Sequence, residues 1–214
     1  MMCCDSDPVP ILSASELLGQ RQAVVDRLQG GAALSEGQFR VTFLPLLLAF
    51  AGWAPAVPSD ESGSPTVLDA RLHRAERVLH RRRGVILPSG ADPEQVAREE
   101  DLWTYTVFSI ALIRQLAREI DRWEITLYSA HQEAVGRWTP YEAVEGWGAW
   151  PGAHCYRLQR QTSSGRGDWT PIIVGRLMPP TALNRLWRNP AVFGVWQQAL
   201  SRPELPELIK PLFI

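Results

Sequence analysis

The groups in this chain that could hold a metal or move a proton are four histidines and a scatter of carboxylates. His73 lies in a run with helical spacing, and alone it reads as an ordinary helix histidine. His80 precedes Arg81, Arg82 and Arg83. That basic end suits a phosphate or an acidic partner, although a solvated helix C-terminus favours cations equally well. His131 and Glu133 are two apart and would not share a helix face. His154 stands beside Cys155 without partners at zinc spacing. Asp101, Glu119, Asp121 and Glu124, with His131 and His154, form a new ligand set only if the fold gathers three or more of them in one cleft. No G-x-x-x-x-G-K-[ST] loop is present to cradle nucleotide phosphates, and no Ser-His-Asp or Cys-His arrangement has a recognisable local form. Arg157, Arg160 and Arg166 sit near several of the nine tryptophans, and Trp138, Trp147, Trp150, Trp169, Trp187 and Trp196 all fall in the second half. Stacking on single-stranded bases is the functional reading, and core packing of large aromatics is the plainer one.

The elements that must position these residues are mostly helical. A helix capped by Ser13 or Ser15 carries Leu17, Leu18, Val24, Val25 and Leu28 at helical spacing and ends at Gly30-Gly31. A second covers Ser35 to about Trp53, with a kink or break at Pro45, and Pro55 to Pro65 is a loop. A third runs from about Thr66 to Arg82, with Val67, Ala70, Arg71, Arg74, Ala75, Val78 and Leu79 along one side. Asp92-Pro93 starts a fourth, which reaches about Ile120 with room for an internal break. Its stretch from Leu102 to Leu116 is apolar on nearly all sides and forms the centre of the core. Trp123 to Leu127 and Tyr156 to Gln161 are candidate strands, and Thr139-Pro140-Tyr141 opens a short helix. Pro180 to Leu186 and Asn189 to Leu200 are further helices. Residues 1–10 read as a flexible arm, 11–200 as one domain, and 201–214 as a proline-rich tail that wanders.

Length and composition set the frame. A chain of 214 residues with 45% hydrophobic and 21% charged residues can bury a core without disulfides or metals. The net charge of -1 gives no global basic field to draw nucleic acid. Lys210 is the only lysine. The arginine excess fits coding bias or, where it clusters, phosphate contacts through the planar guanidinium fork. Cys3 and Cys4 are adjacent and Cys155 stands apart, which is no disulfide framework and points to a reducing, cytoplasmic setting. The first ten residues show no basic region followed by an apolar run, so no secretory signal is expected. The apolar stretch from Val41 to Pro58 is too interrupted for a membrane span.

The run Glu99-Glu100-Asp101-Leu102-Trp103-Thr104-Tyr105-Thr106-Val107-Phe108-Ser109-Ile110-Ala111-Leu112-Ile113 resembles a known pattern. So do Gly136 to Tyr141, Trp147, His154 to Leu158, the opening Pro10 to Ala14 with Leu17-Leu18, and Phe43 to Leu46. In order and spacing these segments resemble the TraI-type helicase or relaxase domain of MobH-class conjugation proteins. The resemblance implies a mostly α fold, an HD-phosphohydrolase-like helical bundle with a small irregular or β element in the C-terminal half. It also implies a divalent metal held by His and Asp ligands, which generates a nucleophilic water. The sequence departs from that site. Where the resemblance places an adjacent His-Asp pair, this chain has Arg114 and Gln115. Arginine has no lone pair to offer a metal and repels it. The upstream histidine-rich region has become Ser59-Asp60-Glu61-Ser62-Gly63-Ser64-Pro65, and a later histidine is absent from Gln161 to Trp169. His73 is left at the place of the helix ligand.

These departures imply a scaffold without catalytic or metal-binding residues and without a cofactor. The expected role is a binding accessory in DNA transfer, touching DNA or proteins of the conjugation machinery, with no membrane contact. Arg81, Arg82, Arg83, Arg157 and Arg160 are the candidate nucleic-acid contacts. Two other readings stand beside it: a metal-dependent phosphohydrolase or nuclease with a rearranged site, and a protein-interaction module that does not touch DNA.

Overall fold

The structure, a computed structural model, describes residues 7–53, 57–59, 65–140, 146, 150–161 and 167–214. The chain folds as two compact units. One, here the helical unit, takes residues 21–47, 71–114 and 178–214, and the other, the sheet unit, takes residues 1–20, 48–70 and 115–177. The fold is mostly α with a small antiparallel sheet, as the sequence leads one to expect.

The helical unit is built around α6, Pro93–Ile113. Its start is local chemistry. The Asp92 carboxylate accepts from Gln95 N at 2.9 Å, and Pro93 follows in the first turn, where its missing N–H costs nothing. Every residue from Trp103 to Ile113 is buried. Thr104, Thr106 and Ser109 tolerate this because their hydroxyls donate to the carbonyls of Glu100 (2.8 Å), Leu102 (2.7 Å) and Thr106 (2.9 Å). Around α6 lie α2 (Gln22–Ala32), α3 (Glu36–Thr42) and the first part of α4 (Leu44–Trp53), with most of α5 (Val67–Arg82), α9 (Pro180–Trp187) and α10 (Pro190–Ser201). Phe43 ties α3 to α6, with its ring centroid 4.7 Å from Phe108 and 5.3 Å, edge on, from Tyr105. Ser109 also accepts from the Trp196 indole at 3.1 Å, which fixes α10 against α6.

The sheet unit pairs β1 (Val9–Pro10), β4 (Cys155–Arg160), β2 (Trp123–Tyr128) and β3 (Ala134–Arg137) in that order, and each neighbouring pair is antiparallel. Helices α1 (Ala14–Gly19), α7 (Leu116–Ile120) and α8 (Thr170–Leu177) accompany it. Trp53, Trp138 and Trp169 form a cluster, with Trp53 lying 5.3 Å from Trp138 and 6.3 Å from Trp169 between ring centroids. Trp103 and Trp196 are likewise buried, so these tryptophans are core residues. Trp187 is 69% exposed, and Trp147 lies outside the described residues.

Several sequence expectations need correction. The first helix is two helices. The α1 segment is opened by a Ser13–Glu16 capping box and ends at Gly19, and α2 continues through Gly30-Gly31 to a left-handed Ala33 (φ 57°). Periodicity alone carries across the intervening turn and hides it. The expected second helix does break, at Phe43, with Pro45 in the first turn of α4. The arm ends inside the sheet, since Val9 pairs with Tyr156 and Ile11 N donates to His154 O at 2.9 Å. The tail does not wander. Ile209 and Leu212 are buried about a short 3-10 turn, Lys210–Leu212, because apolar side chains between prolines still favour leaving water. Strand β3 and helix α8 were not anticipated. Thr139 and Pro140 lie outside any helix, while the remainder of the helix expected there, like most of the Pro55–Pro65 loop, falls outside the described residues.

The long central helix ends at Ile113 because Arg114 turns extended (ψ 127°) and Gln115 is left-handed (φ 63°, ψ 7°). Gln115 is exposed, so its backbone, not its packing, sets its tolerance. A β-branched residue is strained there by about 1–2 kcal/mol. Gln115→Val is therefore expected to lower unfolding stability by that amount in urea titration, and Gln115→Gly to leave it unchanged or slightly raised.

Candidate functional site: a basic cleft on the helical unit

Helix α5 carries its apolar stripe inward through Ala75, Val78 and Leu79. The same helical phase places His73, Glu76, Arg77, His80 and Arg81 on or beside the opposite face. Helix α2 packs alongside. A Cβ on Gly31 would stand 3.1 Å from Leu79 Cβ, so glycine there allows the two helices to approach. Between them opens a cleft of about 710 Å³. Its lining brings four arginines, Arg27, Arg77, Arg81 and Arg83, together with His73 and His80 against one carboxylate, Glu76.

The cations are not equivalent. Arg27 Nε meets Glu76 at 2.5 Å. The hydrogen bond and then the charge of Glu76 raise the Arg27 pKa. Arg83 donates to the carbonyls of Gly30 and Gly31, at the C-terminal end of α2 where cations are favoured. Arg81 is exposed and reaches Leu212 O at 3.3 Å. Arg77 and His80 are exposed and make no hydrogen bond or ion pair among the described residues. They are the groups most available to an anion. Arg27, Glu76 and Arg77 had not been singled out from sequence. Arg77 follows His73 by one helical turn and was findable by phase. Arg27 comes from another helix and was not.

Arg82 departs from the sequence expectation. It is 6% exposed and its guanidinium donates to Val85 O, so it cannot meet a phosphate arriving from solvent. Burial lowers its pKa, offset in part by Glu100. Arg157 and Arg160 lie on β4 in the sheet unit, three residues apart, and so project to opposite faces of the strand. Arg157 lies 5.1 Å over the Tyr128 ring, while Arg160 is exposed opposite Trp123. The two do not form one phosphate patch. Arg166 lies outside the described residues.

The residues at the implied metal position do other work. Arg114 is buried and donates to the carbonyls of Ala199, Arg202 (3.0 Å) and Pro203 at the C-terminal end of α10. Pro203 has no N–H, so Ala199 O lacks the donor that would stand four residues on in a continued helix. The Arg114 guanidinium supplies it. Gln115 is exposed. The acidic and histidine set considered for a rearranged site is dispersed. Glu124 pairs with Arg137 at 2.5 Å, Glu119 is half-buried on α7, Asp121 is buried at the end of that helix, and Asp101, His131 and His154 are exposed. Among the described residues no three His, Cys, Asp or Glu side chains gather closely enough to hold a metal ion. No described helix is long and apolar enough to cross a membrane.

Compared with known proteins, a search of curated sequences gave no match. A family model described as "Putative helicase", TraI_2, matches residues 9–204. That match takes in segments of both units, the basic cleft and the Arg114 fastening alike. The chain belongs to the TraI_2 family.

Proposed function

We propose that this protein is a non-catalytic relative of the MobH-class relaxases, with an HD-like ancestry, serving conjugative transfer as a binding accessory that holds DNA by its phosphate backbone. The observation that carries the reading is Arg114. At the place where the family resemblance expects an adjacent ligand pair, a guanidinium is committed to three backbone carbonyls. A cation so held repels a divalent ion and offers it no lone pair. The DNA-facing surface is the cleft beside α2 and α5, where arginine outnumbers carboxylate in a chain of net charge -1. Phosphate contacts need only positive charge and reach, and they carry no sequence information.

The test is metal analysis of the purified full chain after exposure to Mn²⁺ and Mg²⁺, with a plasmid-nicking assay and a duplex-DNA titration at two salt concentrations. Expected are no retained metal, no nicking, and DNA binding that weakens steeply with salt as counterions are released. Stoichiometric metal with nicking would establish the nuclease reading instead. Absence of DNA binding at low salt would leave a protein-interaction module.

A further inference from the structure

Trp187, the last residue of α9, is 69% exposed, while Trp53, Trp103, Trp138, Trp169 and Trp196 are buried. Arg188 and Asn189 alone connect α9 to α10. Phe193, in the first turn of α10, meets the Trp187 ring in a T-shaped contact, with centroids 5.2 Å apart and planes at 78°. Phe193 in turn lies 5.7 Å from Trp196, whose indole donates to Ser109 on α6. The exposed ring is thus fastened through one aromatic neighbour to the core of the helical unit. A single T-shaped contact cannot cover both faces of an indole, so a face of Trp187 is left to solvent.

Helical phase sets what stands around that ring. Ala182 and Leu186 turn inward. The side of α9 away from them is centred on the exposed Asn184, with Trp187 on one flank and Arg188 on the other. Arg188 keeps a helical backbone at the cap (φ -70°, ψ -12°), and Arg185, three residues before it, lies on the same side. Both arginines are exposed, and neither side chain makes a hydrogen bond or ion pair among the described residues. The sequence adds an asymmetry of charge. From Trp169 to Pro203 there is no Asp or Glu, yet the stretch carries Arg176, Arg185, Arg188 and Arg202. In a chain whose acids slightly outnumber its bases, α9 and α10 are of one sign.

We propose that the exposed side of α9 binds single-stranded nucleic acid, with one unpaired base stacked on the Trp187 indole and the adjoining phosphates held by Arg188 and Arg185. A rigid aromatic face beside cations is what an unpaired base and its backbone require. The guanidinium fork matches phosphate oxygens. Bases inside a duplex are stacked on one another and offer no free face. A protein partner that buried Trp187 would also have to desolvate Asn184 and Arg188 beside it, whereas a strand brings phosphate to where the arginine already stands. The site shares no residue with the basic cleft. It goes beyond the reading of that cleft as a holder of the phosphate backbone and does not depend on it.

The experiment titrates the full chain into a fluorescein-labelled oligothymidylate of about eight nucleotides, and into an abasic strand of the same length, at several salt concentrations. The abasic strand keeps the phosphates and lacks the bases. Oligothymidylate is expected to bind at least about tenfold more tightly than the abasic strand. Trp187→Ala should weaken oligothymidylate by about tenfold without changing the salt slope, and should leave the abasic strand unaffected. Arg188→Gln should weaken both strands and reduce the slope by about 0.7 for each phosphate released. Trp187→Ala within about twofold of the parent, an abasic strand bound as tightly as oligothymidylate, or an equal loss for both strands in Trp187→Ala overturns the proposal. Should Trp187→Ala lower the urea midpoint, Trp187→Leu decides in its place, since leucine keeps an apolar contact with Phe193 but has no π face. Duplex affinity should be the same in Trp187→Ala as in the parent, so this site and the cleft can fail separately.

Discussion

Replacing Arg114 with alanine is expected to lower unfolding stability by about 2–4 kcal/mol, among the larger losses a single substitution can cause here. The magnitude follows from what is left behind. The Ala199 carbonyl sits in the last turn of α10, and the residue four further on is Pro203, which has no N–H to give it. The carbonyls of Arg202 and Pro203 take two further guanidinium N–H groups. Alanine leaves Ala199 O without a donor in a buried place and opens a cavity under the end of α10. The neighbouring Arg202 and Pro203 are exposed, so water partly replaces the loss at their carbonyls and holds the cost below the sum of three charged hydrogen bonds. Lysine carries the charge but is a point donor without the fork, so Arg114→Lys should recover about half. The check is the urea midpoint at constant slope for both variants. An alanine variant within about 0.5 kcal/mol of the parent, the usual range for an uncritical surface change, would show that these hydrogen bonds are incidental. The effect bears on the proposed reading: where the family resemblance places a metal ligand, this chain fastens one helix to another.

How much of this was legible beforehand depends on whether the cause is local. Asp92-Pro93 and Asn189-Pro190 announced the starts of α6 and α10, because a cap and a first-turn proline act within three residues. The exact break at Arg114-Gln115 was not legible, since a left-handed glutamine carries no compositional mark. Arg114 itself was recognised as foreign to a metal site, but its partners lie 85–89 residues away. No spacing rule connects them. Arg82 was a different failure. Three consecutive arginines look alike in sequence, yet 82 stands four after Val78 and three after Leu79, on the buried stripe of α5. Arg71, four before Ala75, is fully buried on the same stripe. Helical phase already separated Arg82 from its neighbours, and reading the run as one patch ignored it. The cleft needed both kinds of information: phase gathers His73, Arg77 and His80, while only the packing of Gly31 against Leu79 brings Arg27 to face them.

That pairing of phase and packing makes the cleft testable by two substitutions of opposite sign. Arg77 is exposed and without a partner among the described residues, so Arg77→Glu changes the local charge by two without breaking an ion pair. DNA affinity near 0.1 M salt is expected to fall by about tenfold or more, and the slope of log affinity against log salt by about one for each phosphate no longer neutralised. Glu76 is the one carboxylate lining the cleft among the described residues, and it holds Arg27 at 2.5 Å. Glu76→Gln releases Arg27 and removes a repulsive charge, so affinity should rise several-fold and the salt slope should steepen. Both residues are on the solvent side of α5, and exposed ion pairs contribute about 0–1 kcal/mol, so neither change should unfold the protein. A general electrostatic effect would move affinity in the same two directions wherever charge is altered. Arg160→Glu, on the exposed end of β4, is therefore the control and should change affinity by less than about threefold. If Arg160→Glu acts as strongly as Arg77→Glu, the DNA surface is not this cleft. If Glu76→Gln weakens binding, the Arg27–Glu76 pair is itself part of the DNA-facing surface and its charge is not an obstacle to DNA.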